Sequence, residues 1–271
     1  MPELPEVETC VRGLRPYLVG QQILSLQVRE RRLRWPIALE TDRQVAGQSI
    51  RELRRRAKYL VLELERGALL IHLGMSGSLR LLPAPTPPAL HDHVDLLLGN
   101  GQCLRLRDPR RFGMLQWVPA PAEAHPLLSH LGPEPLAPGF DGAYLHRRAA
   151  GRRAAVKTFI MDSEIVVGVG NIYASESLHL AGIHPNRAAG RIAAGRYHRL
   201  ATAIRAVLEA AITQGGTSLR DFVQEDGNPG YFARCLRVYG RTGQPCAGCG
   251  EPIRQRRIGQ RSSFYCARCQ H

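Results

Sequence analysis

A proline stands at position 2 with a carboxylate directly after it, in the opening Met1-Pro2-Glu3-Leu4-Pro5-Glu6-Val7. Removal of the initiator methionine leaves a secondary amine as the first group of the chain. An α-amino group titrates at about 7.7 to 8.0, so a useful fraction is unprotonated near neutrality without the desolvation a lysine needs. Such amines attack aldehyde-like carbons and form Schiff bases. The same residues have a structural explanation: a small residue is common after methionine, and Glu3, Glu6 and Glu8 suit the positive end of a helix dipole. On these residues alone that explanation is the stronger. Two further groups stand out by rarity, since Lys58 and Lys157 are the only lysines among 37 basic residues. Arginine usage of this kind reflects compositional bias first. Lysine, however, exchanges a proton more readily than arginine, which makes Lys58 and Lys157 candidates for proton transfer or a compact charge contact.

Cys246-Ala-Gly-Cys249 and Cys266-Ala-Arg-Cys269 form two CxxC pairs with sixteen residues between them, the spacing of a tetrathiolate zinc site. Strand-like residues lie on both sides of Gly259, so a β-hairpin would bring the pairs to one tetrahedral ion. Four thiolates leave no open position for water, and the expected cofactor is therefore one structural Zn2+. A disulfide framework is the competing account. Cys10, Cys103 and Cys235 are scattered singly in a chain without a secretion signal, which favours the metal and makes those three small buried apolar residues. Arg254, Arg256, Arg257, Arg261 and Arg268 crowd the same unit and suit a nucleic-acid contact.

Composition points the same way. The formal charge is +14, and residues 136–271 supply 19 basic against 9 acidic side chains, compared with 18 against 14 in residues 1–135. A basic surface of that size suits a polyanion, and nucleic acid before membrane, because no amphipathic anchor or lipidation motif accompanies it. No apolar run reaches the roughly 18 residues that span a bilayer, and acidic residues follow Met1 where a secretory signal is basic. The expected location is the cytoplasm.

Elements must position these groups. Val7, Val11, Leu14 and Leu18 recur at helical spacing after Pro5 and stop at Gly20, which predicts a helix pinning the N-terminus. From Ile23 to Val118 the chain reads mostly as strands: Tyr59 to Leu64, Leu69 to Leu73, Val94 to Leu98, Cys103 to Arg107 and Phe112 to Val118, with a hairpin turn at Gly99-Asn100-Gly101 and a loop at Pro83 to Pro88. A β-sandwich or barrel follows. The stretch 132–150, opening Gly132-Pro133-Glu134-Pro135, reads as a linker. Beyond it Asn171 is expected to cap a helix to about Ala181, after the turn Gly168-Val169-Gly170, whose backbone NH groups could hold an anion. A helical stripe from Tyr197 to Ile212 ends at Gly215-Gly216.

The N-terminal PELPEVE, RRAKYL (55–60), HLGMSGSLR (72–80), HDHVD (91–95), DPRRFG (108–113), VVGVGNIYASE (166–176) and the terminal four-cysteine finger together resemble the bacterial formamidopyrimidine-DNA glycosylase family along essentially the whole chain. The resemblance implies an α+β fold of two domains: an N-terminal antiparallel β-sandwich with flanking helices over 2–131, then, after the linker, a helix-two-turns-helix domain over 151–236 with a β-hairpin zinc finger over 237–271. It implies a nucleoid-associated repair enzyme, acting as a monomeric clamp on damaged duplex DNA, that excises 8-oxoguanine and ring-opened formamidopyrimidines and then cleaves the strand.

By the same resemblance Pro2 is the nucleophile, Glu3 the acid at the sugar ring oxygen, Lys58 the proton donor of β-elimination and Arg261 the finger residue of δ-elimination. A base in duplex DNA must be flipped out before its sugar carbon can be attacked. Met75, Arg110 and Phe112 are implied to fill the space it leaves, with Arg110 towards the orphaned cytosine. DNA contacts fall on His91, Arg110 and Arg153, with Lys157, Asn171 and Arg261 on phosphates. Glu6 and Glu176 are assigned to the lesion pocket, as are Thr217 and Ser218 at the start of a loop, 217–228, that closes over the flipped base. Two positions depart from the family pattern: Arg153, often lysine, and Thr158, where proline is expected. Two rivals remain: an endonuclease VIII-like enzyme for oxidised pyrimidines, which usually has glycine where Leu4 stands and lacks the three fillers, and a non-catalytic zinc-finger DNA binder.

Overall fold

The computed structural model describes residues 2–216 and 232–271. They fall into two compact units, the first holding residues up to 129 with 215–216, the second 130–214 with 232–271.

The first unit begins with helix α1 (Leu4–Leu18), whose entry is fixed by Pro5 in its first turn and by a reciprocal capping box between Glu3 and Glu6. Leu4, Val7, Val11, Leu14 and Leu18 are buried along one stripe, and Gly20 at φ +84° turns the chain out. Eight strands follow: β1 (Ile23–Val28), β2 (Ile50–Arg56), β3 (Tyr59–Leu64), β4 (Ala68–His72), β5 (Ser78–Pro83), β6 (Asp92–Leu98), β7 (Gln102–Arg107) and β8 (Met114–Val118). Short helices α2 (Thr41–Val45) and α3 (Pro126–Ser129) accompany them. The strands pair antiparallel in two four-stranded sheets, ordered β1-β6-β7-β5 and β2-β3-β4-β8. Alternation on each sheet sends Leu26, Val94, Leu96, Leu104 and Leu106 from one side, and Leu53, Leu60, Leu62, Leu69, Ile71 and Leu115 from the other, into a common core that α1 joins. The expected sandwich is therefore present.

The second unit contains α4 (Gly142–Ala149), α5 (Val156–Met161), α6 (Asn171–Leu180) and α7 (Ala194–Thr213), followed by the hairpin β9 (Arg254–Ile258) and β10 (Arg261–Tyr265). Helices α4 and α7 cross closely: a Cβ at Gly142 would lie 2.4 Å from the His198 Cα. Among the described residues no helix is long and apolar enough to cross a membrane.

Three local expectations change. The stretch 132–150 is not wholly irregular, because Asp141 accepts the Tyr144 N–H and caps α4. Asn171 is the first residue of α6 and Gly170 its N-cap, so the asparagine side chain is available for another contact. Strand β8 begins at Met114, leaving Phe112 in the preceding turn.

Candidate functional site

In the first unit Pro2, Glu3 and Glu6 are all buried at the head of α1. The Glu6 carboxylate accepts the Glu3 N–H at 2.8 Å, fixing the backbone immediately after Pro2. Gly216 closes against the same carboxylate, since a Cβ there would lie 3.1 Å from Glu6 Oε1. Lys58 sits in the turn between β2 and β3, after Ala57 at φ +53°, a left-handed conformation uncommon outside glycine. Arg55 ties that turn to α1: its Nε bonds Glu8 at 2.9 Å while its Nη1 donates to the Ala57 carbonyl at 3.0 Å. Burial opposes ionisation of Glu8, but Arg12 and Arg55 outweigh it and hold its carboxyl below the usual range. Lys58 is felt at His72, whose pKa falls to about 4, through burial first and then the charges of Lys58 and Arg34. The neutral His72 ring accepts the Gly74 N–H on Nδ1 at 3.0 Å.

Met75, Arg110 and Phe112 lie on two adjoining turns. A Cβ at Gly74 would fall 2.3 Å from the Phe112 carbonyl carbon, so only glycine permits the backbones to meet there. Asp108, wholly buried, organises this place. Its Oδ1 accepts from Ser76 Oγ at 2.7 Å and its Oδ2 from the Gly113 N–H at 2.7 Å. Its carbonyl meets His93 Nε2 at 2.8 Å, and its N–H donates to the His91 carbonyl at 3.0 Å. Arg110 lies over the Phe112 ring, 4.9 Å from the centroid, and Phe112 is 44% exposed. His91 (φ +73°) and Arg111 (φ +55°) are left-handed here, as Ala57 is beside Lys58. Backbone strain thus collects at the turns that carry the candidate residues. Asp108 and Ser76 were not singled out in the sequence; a short Asp-Pro turn hides how many neighbours its carboxylate will gather.

In the second unit Lys157 is 1% exposed, and its ammonium donates to Asn171 Oδ1 at 2.6 Å, Ser263 Oγ at 2.7 Å and the Ser262 carbonyl at 3.0 Å. These bonds join α5, the head of α6 and the hairpin, and hold the Asn171 amide by its oxygen. Arg261 is exposed at the start of β10, and Arg153 is exposed in the loop before α5. Thr158 lies against the hairpin turn, since a Cβ at Gly259 would come 2.8 Å from its Oγ1. Glu176, assigned by resemblance to the lesion pocket, has a buried carboxylate that accepts the N–H groups of Arg237, Val238 and Tyr239 at 2.8, 3.0 and 2.8 Å. It anchors the chain leading to the finger. Thr217 and Ser218, with the rest of the 217–228 loop, lie outside the described residues.

The four thiols of Cys246, Cys249, Cys266 and Cys269 lie within 4.8 Å of one another. Two of the pairs are 3.4 and 3.9 Å apart, near the roughly 3.8 Å that a tetrahedral Zn–S distance of about 2.3 Å requires. Val238, Ile253 and Phe264 pack around them. The donor set and its spacing fit a structural zinc ion.

Comparison with known proteins agrees with this arrangement. The Formamidopyrimidine-DNA glycosylase N-terminal domain matches residues 1–115, the H2TH domain of the same family matches 131–223, and a zinc finger found in FPG and IleRS matches 243–271. A Formamidopyrimidine-DNA glycosylase from Syntrophotalea carbinolica is 59% identical over 270 residues, covering all of both chains. The chain belongs to the formamidopyrimidine-DNA glycosylase family. Members are DNA-repair glycosylases, and the finger in this one is a zinc finger. Among solved structures, a Lactococcus lactis FPG mutant in complex with a Fapy-dG containing DNA aligns over all of both chains with a TM-score of 0.91 at 32% identity. MutM from Thermus thermophilus aligns over 99% of this chain and 98% of its own, with a TM-score of 0.89 at 38% identity.

Proposed function

We propose that this glycosylase excises oxidised purines, 8-oxoguanine and formamidopyrimidines, from duplex DNA through a Schiff base on Pro2, and then acts as an abasic-site lyase. The observation that supports this most is the buried head of α1, where the capping box holds Pro2 and Glu3 in one place and Arg55 fastens the Lys58 turn to the same helix.

In this reading Met1 is removed and the Pro2 nitrogen attacks C1' of the flipped nucleotide. The N-glycosidic bond breaks, the base leaves with its electron pair, and Glu3 delivers a proton to the ring oxygen as the sugar opens. The resulting iminium makes the C2' proton acidic, so its removal expels the 3' phosphate. Lys58 relays protons in that elimination, and a second elimination releases the 5' phosphate. A guanidinium is a poor acid, so Arg261 serves here by binding phosphate and stabilising charge. Met75, Arg110 and Phe112 enter the duplex together; a flexible thioether, a fork of donors and an aromatic wedge suit that task. His91, Arg153 and Asn171 contact the strand, and Lys157 acts by setting the Asn171 amide. Glu6 and Gly216 border the pocket for the lesion.

Borohydride trapping on an 8-oxoguanine duplex, followed by peptide mapping, tests the chemistry. Attachment at Pro2 is expected, and attachment at Lys58 overturns the mechanism. Excision assays on 8-oxoguanine and thymine glycol duplexes test the substrate, and a preference for thymine glycol would identify an endonuclease VIII-like enzyme. Absence of both trapping and excision would mark a non-catalytic DNA binder.

A further inference from the structure

His179 lies in the last turn of α6, and its Nε2 is 3.7 Å from the Sγ of Cys246. Its other nitrogen, Nδ1, is buried and has no hydrogen-bond partner among the described residues. The residue is one helical turn beyond Glu176, so both project from the same side of α6. Glu176 takes the backbone N–H groups of 237–239, at the entrance to the finger, and His179 reaches one of its four sulfurs.

We propose that His179 is the hydrogen-bond donor that α6 supplies to the zinc centre, giving its Nε2–H to the Cys246 thiolate. A thiolate on zinc has no proton to offer, so between these two atoms the imidazole must be the donor. That fixes the tautomer: Nε2 carries the hydrogen and Nδ1 keeps a lone pair, which is the nitrogen left without a partner. An imidazole that merely filled space would leave its buried Nδ1 unpaired with nothing in return. A charge-assisted N–H···S bond offsets that cost.

The bond has a chemical consequence. Four thiolates on one Zn2+ carry a net charge of −2, and a donor to one sulfur withdraws part of that charge. It makes the Cys246 sulfur a poorer target for oxidants, and oxidation is a route by which a tetrathiolate site loses its metal. Outer hydrogen bonds of this type typically change metal affinity 10- to 100-fold. His179 is thus a positioning residue of the metal centre, and it links zinc retention to the helix that begins at Asn171.

The test uses the full-length, zinc-loaded protein with His179→Phe, which keeps the volume, and His179→Gln, which restores an N–H donor. Zinc transfer to a chromogenic chelator is expected to be at least about tenfold faster in His179→Phe and to return most of the way in His179→Gln. The thiolate-to-metal charge-transfer band of the Co2+-substituted protein should shift in the phenylalanine variant, because the donor strength of one sulfur changes. Unchanged zinc release with an unshifted band would overturn the proposal, as would a glutamine variant no better than phenylalanine. Long-range 1H–15N correlation spectra of the zinc-loaded wild type give an answer that needs no variant to fold: the Nε2–H tautomer is expected, and the Nδ1–H tautomer overturns the assignment.

Discussion

His72 reports the electrostatics of the place where Lys58 sits. Burial is the largest cause of its lowered pKa, with the Lys58 and Arg34 charges adding to it, and the value falls to about 4. The folded protein therefore favours the neutral ring. Its contribution to stability is complete above the unfolded value near 6.5 and is lost as pH falls towards and through 4, in total about 3 kcal/mol for a shift of this size. The His72 ring resonances should titrate near pH 4 in the intact protein. In Lys58→Met the midpoint should move upward, but by less than the full displacement, because burial remains. An unshifted midpoint would place the Lys58 ammonium too far from His72 to affect it. The same variant should lose abasic-site cleavage more than base excision if the proton relay proposed for Lys58 is correct. Equal losses in the two steps would count against that role.

At the scale of elements the site depends on turns, and the turns depend on Asp108 and Gly74. Asp108→Ala leaves the Ser76 hydroxyl and the Gly113 N–H without their buried acceptor. A loss of about 2 to 4 kcal/mol, read from a thermal or urea melt, follows for a buried carboxylate with several donors. Gly74→Ala does something different. Its Cβ would overlap the Phe112 carbonyl, so the Met75 turn must move away from the Arg110–Phe112 turn. We expect excision of 8-oxoguanine from duplex DNA to fall at least about tenfold while zinc content, read by metal analysis, stays the same; retained excision would show that the two turns need not act together. These turns also mark how far the sequence could be read. Helix α1, the β6–β7 hairpin and the four-cysteine finger were legible because apolar spacing, a Gly-Asn-Gly turn and paired CxxC motifs are local signals. Strand β2, which reads Ile-Arg-Glu-Leu-Arg-Arg-Arg, has little alternation and becomes a strand through pairing with β3. The partners of Glu176 were hidden for a similar reason. Nothing local to its helix shows that its oxygens meet backbone groups more than sixty residues away in sequence.

At the scale of the whole molecule the charge is lopsided, with residues 136–271 carrying +10 of the +14. Binding to duplex DNA should therefore depend steeply on salt, because each neutralised phosphate releases condensed counterions. For six to ten phosphate contacts the affinity should fall by about 10³ to 10⁵ between 50 and 200 mM salt. The finger arginines make this dependence divisible. Arg261 is exposed at the start of β10, and Arg261→Ala should flatten the slope of log K against log salt by about one contact. Removing zinc with a chelator should flatten it further, since Arg254, Arg256 and Arg257 are exposed on β9 and lose their common framework with Arg261 when the thiolates are no longer held together. The sandwich has its own apolar core and no part in the metal site, so its strand signal in circular dichroism should survive that treatment. Fluorescence anisotropy titrations at four or five salt concentrations supply the slopes. A zinc-free protein that keeps both its affinity and its slope would show that the finger's basic residues do not carry the phosphate contacts, and would move the electrostatic interface to the helices of the second unit.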